Sequence, residues 1–274
     1  MLNSKEFQKN QSLFDNEGYV IFEDVLSQEE VESYRKALNP YIKQDIKGRN
    51  NFEGHKTNRI YAMLAKSEVF GDLVSHPLVM QFVKHNLGDS ALLSACLAIN
   101  LLPGESVQPW HTDDGHIGIE MPHPSFGVSA FWVIDNMTQA NGATEIIPKS
   151  HLWPRKKLQK YLKSDSIKEI INENFNPSSG QEEKKVIELN AGSLMLTKST
   201  LIHRGGANNS DKPRLIITPQ YCFGWCRQLE NMIAVIPKEK VMKYSEEVRS
   251  LIGYSIHPPF MGYTDGVHPE KLLK

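Results

Sequence analysis

Between residues 91 and 223 the chain breaks into short apolar runs, and this rhythm limits what it can fold into more than any other feature. The runs are ALLSACLAINLL, SFGVSAFWVI, ATEIIP, KVIEL, GSLMLT and RLIITPQYCF, separated by Gly, Pro and Asn. β-Branched and aromatic residues recur in them, which suits a pleated, buried surface. Strand follows strand with few helical segments between, so the pattern predicts an antiparallel sandwich or barrel rather than βαβ units.

The flanks carry different signals. GYVIFEDVL (18–26) predicts a strand. Ser27-Gln-Glu-Glu30 is a capping-box pattern, and Val31, Tyr34, Leu38, Tyr41 and Ile42 follow at helical spacing. GRNNFEGHKTNRI (48–60) predicts a polar loop, and the stretch from Pro77 to Gly88 a second helix with Pro at its start and Gly at its end. Residues 154–172 have helical composition, 174–185 predict a solvated loop, and a further helix is expected around 238–251. A hydrophobic fraction of 40% in 274 residues supports one sizeable core with insertions. The expected division is an N-terminal helical support (about 1–90), a β core (about 91–226) and a C-terminal extension (227–274).

Net charge is −1 with no basic run, which points away from nucleic acid and anionic membranes. The polar start MLNSKEFQKNQ lacks a signal-peptide core, and no apolar run is long enough to cross a bilayer. Cys96, Cys222 and Cys226 form no zinc-type pair and suit a reducing cytoplasm.

Chemistry concentrates in VQPWHTDDGHIG (107–118). In an extended segment, His111 and Asp113 project from one face and could bind a single ion. The same residues also suit a polar strand end at which Asp113 caps a turn. LIHRGGANNSDKPRLIITPQY supplies possible partners: His203 after one strand-like run, Arg214 at the start of the next. This stretch predicts a hairpin carrying both residues into one cavity, although singly each fits a structural role. Two histidines and one carboxylate form the facial triad of non-haem iron(II) sites, which leaves adjacent positions open for co-substrate and dioxygen. An arginine beside it can grip a carboxylate through two parallel hydrogen bonds.

WHTDDGH, NGATEIIPKSH, IHRGGANNSDKPR and GYTDGVHP together resemble the phytanoyl-CoA dioxygenase family, over about residues 14–268. The resemblance implies a mainly β fold with flanking helices, a double-stranded β-helix or jelly roll, making 1–274 one dioxygenase domain. It implies His111, Asp113 and His203 as ligands of Fe(II), with 2-oxoglutarate and O2 as co-substrates and Arg214 as the 2-oxoglutarate anchor. Asn100, Ser129 and Thr144 match positions that assist co-substrate binding. The Ser or Thr common two residues after the anchoring arginine is Ile216 here. The implied activity is oxidation of a small-molecule metabolite, typically hydroxylation, with release of succinate and carbon dioxide. Because Asp113 is present, halogenation is not expected.

His116, Arg59 and Trp132 are the candidates for substrate contact, with Arg59 in a loop beside His55 and Asn58. Asp114 reads as a turn residue, His151 as a packed corner, and His268-Pro-Glu270 as a motif without a metal role. The competing functions are a cupin-type metal-dependent hydrolase or isomerase, which needs no dicarboxylate anchor at Arg214, and a non-catalytic binding protein of the same fold.

Overall fold

A computed structural model describes residues 1–159, 161–162 and 183–273. Among the described residues, nine strands form two antiparallel sheets. They are β1 (Tyr19–Phe22), β2 (Thr57–Ile60), β3 (Leu92–Leu101), β4 (Gly127–Val133), β5 (Thr144–Ile146), β6 (Lys185–Val186), β7 (Leu194–Lys198), β8 (His203–Gly205) and β9 (Arg214–Cys222). The larger sheet runs β1-β7-β4-β9-β3-β2 and the smaller β6-β5-β8. A bridge between His111 and His203 extends the smaller sheet by one position. This is a jelly roll with helices on the outer face of the larger sheet.

Strand parity divides the interior. Val128, Ala130 and Trp132 of β4, with Leu215, Ile217 and Tyr221 of β9, pack outward into a cluster with Phe14, Leu38, Phe82, Val248 and Leu251. Phe131, Val133 and Ile216 point inward and meet Met137, Ile146, Ile187 and Met195 between the sheets. The helices on the outer face form for local reasons. Asn3 and Ser27 each close a capping box, at the starts of α1 (Ser4–Glu17) and α2 (Gln28–Ile42). Two single turns, α3 (Met63–Lys66) and α4 (Phe70–Val74), precede α5 (Pro77–Leu87), which starts on Pro77 and ends at Gly88.

Several sequence expectations change. The loop expected over 48–60 contains β2, whose polar Thr57 and Arg59 face a cavity rather than solvent. α1 lies within a start that reads only as polar, since just Gln11 and Phe14 of it are buried. The helix expected around 238–251 is two pieces, Lys238–Val241 and Glu246–Ile252, because Ser245 caps a new start. His203 and Arg214 are not on one hairpin: β8 lies in the smaller sheet and β9 in the larger, so the connection crosses between sheets. Of the helical composition at 154–172, Arg155–Leu158 is helical; most of the remainder, with most of the loop expected at 174–185, lies outside the described residues. Among the described residues no helix is long and apolar enough to cross a membrane. The three cysteines are free.

Candidate metal centre

A cavity of about 1330 Å³ opens between the sheets, walled by Leu97 and Ile99 of β3, Phe131 of β4 and Ile216 of β9. At its side His111, Asp113 and His203 converge, with one ligand atom from each within 4.8 Å of the others. Two local structures bring them together. His111 is extended and bridges His203 backbone to backbone, His111 N to His203 O at 3.1 Å and the reverse at 3.0 Å. After Thr112 the chain turns into a 3₁₀ turn, Asp113–His116, which swings the carboxylate towards the rings.

The protonation of the rings is set by their neighbours. His111 Nδ1 lies 3.0 Å from the carbonyl of Pro109, and His203 Nδ1 3.0 Å from that of Leu201. A carbonyl only accepts, so each Nδ1 carries a proton, and in the neutral ring Nε2 is the atom with the free lone pair. Burial, then the neighbouring His203, holds the His111 imidazole pKa far below its ordinary 6.5, against the pull of Asp113. His111 is therefore poised as a neutral donor. Ser129 Oγ, fully buried, donates to Asp113 Oδ2 at 2.5 Å. The other oxygen, Oδ1, lies 3.7 Å from His203 Nε2.

Arg214 enters the same cavity from the start of β9. Its Nη2 donates to Gly142 O at 2.7 Å, while Nε and Nη1 are buried with no partner. Gly142 itself sits in a crowded turn: at its φ of 84° an added Cβ would sit 2.7 Å from the Gly206 carbonyl. Burial pulls the guanidinium pKa down to about 10, helped by Arg59 and opposed by Asp135, so the group stays cationic at neutral pH. A buried cation with unsatisfied N–H groups on the cavity wall calls for an anionic partner such as a carboxylate. The donor set of two imidazoles and one carboxylate likewise fits iron.

The other expected residues divide by strand parity. Thr144 lines the cavity two residues beyond Gly142. Ser129 faces inward but is committed to Asp113. Asn100 does not line the cavity: it faces the helix side of β3, where its Nδ2 donates to Asn58 Oδ1 at 2.9 Å. Trp132 also faces away, buried among the helices with His76 edge-on at 5.1 Å. A substrate contact for Trp132 is thereby excluded in this geometry, as is a co-substrate contact for Asn100. Ile216 belongs to the inner apolar cluster. The next hydroxyl on that face of β9, Thr218, donates to Leu97 O at 3.3 Å.

His116 sits at the exposed rim of the cavity, its Nδ1 2.8 Å from Asp113 O. Asp114 is buried behind it, accepting from Phe126 N at 2.9 Å, and burial pushes its pKa up to about 7. Arg59 lines the cavity; its loop companions His55 and Asn58 do not. Sequence reasoning passes over Phe52, whose ring stands edge-on to His111 at 4.9 Å. It also passes over Gln108, which accepts from Gly205 N at 3.0 Å and donates to Phe52 O at 2.8 Å. Their roles arise from contacts across 56 to 97 residues, which no local pattern announces.

A jelly roll whose inner cavity joins a His/Asp/His cluster to a buried, unpaired arginine defines the class: a non-haem Fe(II)/2-oxoglutarate-dependent dioxygenase. A model of the phytanoyl-CoA dioxygenase family matches residues 14–216, and the chain belongs to that family. Dioxygenase swnH2 of Arthroderma benhamiae is 25% identical over 95% of this chain and 85% of its own. Dioxygenase peniF of Penicillium patulum is 23% identical over 93% and 85%. Among solved structures, the epimerase SnoN in complex with Fe3+, alpha ketoglutarate and nogalamycin RO shares the fold with a TM-score of 0.63 at 18% identity, over 81% of this chain and 85% of that one. HygX from Streptomyces hygroscopicus with nickel and 2-oxoglutarate bound gives 0.63 at 16%, over 81% and 88%.

Proposed function

We propose that this chain hydroxylates a small organic metabolite, with His111, Asp113 and His203 holding iron(II) and Arg214 gripping the distal carboxylate of 2-oxoglutarate. The observation that carries the reading is the pair of unpartnered Arg214 nitrogens in the cavity that the triad flanks. A hydrolase or isomerase of cupin type would have no use for that cation. Iron(II), with 2-oxoglutarate and O2, supplies oxidative decarboxylation to succinate and carbon dioxide and the oxidising power to attack an unactivated C–H bond.

The chain's own residues prepare the site. The Pro109 and Leu201 carbonyls hold a proton on each Nδ1, which leaves Nε2 as the donor atom of the neutral ring, and Ser129 fixes the rotation of the Asp113 carboxylate. Thr144 offers a hydroxyl beside the proposed carboxylate position, partly replacing the one absent at Ile216. Phe52, Leu97, Ile99 and Phe131 keep the reacting centre largely apolar. His116, at the rim, is placed to meet the substrate. Residues 1–274 act as one domain in this reading, in a reducing cytoplasm that keeps the three thiols free. Support for a small-molecule substrate comes from HygX, one structure of which also holds hygromycin B, and from the SnoN complex.

The test is succinate formation from 2-oxoglutarate under oxygen with iron(II), with and without a metabolite extract. Wild type is expected to turn over, His203→Ala to lose turnover, and Arg214→Leu to weaken 2-oxoglutarate binding by about 100-fold or more, as loss of a charge-assisted double hydrogen bond predicts. Folded, iron-loaded wild type that neither binds nor consumes 2-oxoglutarate would sink the reading.

A further inference from the structure

Arg214 keeps two buried nitrogens without a partner although a carboxylate stands close to it. That carboxylate is Asp135. Of the neighbouring charges that act on the Arg214 guanidinium it is the strongest, and it opposes the effect of burial. Asp135 follows β4, where the chain folds onto the start of β9. Ile134 N and Asp135 N both donate to Leu215 O, at 3.1 and 3.0 Å. Asp135 Oδ2 accepts from Leu215 N at 2.8 Å, one peptide bond beyond Arg214. Arg214 nevertheless makes no ion pair with it, and donates instead to Gly142 O.

Asp135 is engaged from the other side. Arg35 Nη1 donates to Asp135 Oδ1 at 2.7 Å, and Nη2 to Ile134 O at 2.7 Å. The two residues are 100 positions apart in sequence. Arg35 lies on α2, four residues after Val31 and three before Leu38, so the face that buries those residues also carries it to the sheet. Glu32, one turn back on the helix, lies 3.4 Å from its Nε. One guanidinium therefore takes the Asp135 oxygen that Leu215 leaves free, and balances its charge.

We infer that Arg35 is a positioning residue for co-substrate binding: by holding Asp135 it keeps that carboxylate from capturing Arg214, whose free N–H groups are left for 2-oxoglutarate. Two carboxylates compete for one buried cation. Opposite charges attract strongly where water is scarce, and an Asp135 released from Arg35 would have an unpaired oxygen beside unsatisfied donors. Held by Arg35, Asp135 still steadies the charge on Arg214 without filling its donor positions. No residue of α2 lines the cavity, so this helix would act on the site only through Asp135. The inference rests on Arg214 being the 2-oxoglutarate anchor, and its test separates the two.

2-Oxoglutarate is titrated into the anaerobic iron(II) protein and its affinity read from the visible charge-transfer absorption. Wild type, Arg35→Met, Asp135→Asn and the double variant are compared, with urea unfolding of each. Asparagine keeps an oxygen for Leu215 N and removes the charge. Arg35→Met is expected to weaken 2-oxoglutarate at least about tenfold. In the Asp135→Asn background the same change should weaken it by less than about threefold, because no carboxylate is left to release. Arg35→Lys, which keeps a cation for Asp135, should restore affinity to within about threefold of wild type. A purely structural Arg35 would weaken binding equally in both backgrounds, or lower the urea midpoint with affinity unchanged. Either result overturns the inference and leaves the oxygenase standing, as does an Arg35→Lys protein that binds no better than Arg35→Met. Wild type that binds no 2-oxoglutarate would overturn the oxygenase reading and this inference together.

Discussion

The two candidate histidine ligands are prepared identically, each with its Nδ1 on the carbonyl two residues before it. The arrangement follows from extended backbone at both sites and fixes ring rotation and tautomer together. Asp113 has no such backbone partner, and Ser129 performs the equivalent service from β4. Loss of one hydroxyl buried on an inner strand costs little in packing, but it frees the carboxylate to rotate. Ser129→Ala should therefore reduce iron(II) affinity by about 10- to 100-fold while moving the unfolding midpoint only slightly. Anaerobic metal titration alongside urea denaturation separates these effects. Equal metal affinity in wild type and variant would show that Ser129 does not position Asp113.

Helices press on the outer face of the larger sheet, and α5 does so through His76 as well as its apolar side. Nδ1 of His76 accepts from Leu78 N at 3.3 Å as the helix cap, and its ring packs edge-on to Trp132. Burial holds the imidazole pKa below its ordinary 6.5, with Glu30 opposing. His151, buried against the Asp15 carbonyl, is lowered in the same direction. Below pH 6.5 the unfolded chain takes up these protons before the folded one, so stability falls with pH until the folded pKa values are passed. His76→Asn keeps a capping oxygen and removes one titrating ring. The fall in urea midpoint between about pH 7 and 5 should be shallower in His76→Asn than in wild type. Identical slopes would rule His76 out as a contributor. The same elements show what the sequence could reveal. Ser27 to Glu30 and Pro77 to Gly88 announce helices because caps are local chemistry. The faces of β3 and β4 are not announced, because both sides of these strands are buried and apolar residues occupy each parity. Asn100 and Trp132 therefore look equivalent in sequence to inward neighbours from which they point away. β2 was hidden for a complementary reason: its polar residues serve a cavity wall and an Asn58–Asn100 pair, which in sequence resemble solvated loop. The triad itself was legible from residue types and order, whereas Phe52 and Gln108 depend on long-range contacts.

At the scale of the molecule, the site joins elements that the two apolar clusters leave separate. His203 belongs to the smaller sheet, Arg214 to the larger, and Asp113 to the turn after the His111 bridge. Iron bound by the triad and 2-oxoglutarate held by Arg214 would tie the sheets across their cavity, while the helix-backed cluster would be untouched. Binding to the folded chain alone stabilises it by about 2.7 kcal/mol at a free ligand concentration 100 times Kd. For a chain of this size that corresponds to a rise in Tm of roughly 5–10 °C. His203→Ala should abolish the rise produced by anaerobic iron(II) with 2-oxoglutarate. Trp132→Ala should behave in the opposite manner. It opens a hole beneath α5 and lowers stability by about 3–5 kcal/mol, yet the ligand-induced rise should persist because Trp132 faces away from the cavity. Thermal unfolding of the three proteins, each with and without iron and 2-oxoglutarate, gives the comparison. A folded Trp132→Ala protein without the rise would mean that the outer cluster and the site are energetically one unit, and that strand parity does not insulate the chemistry from the helical support.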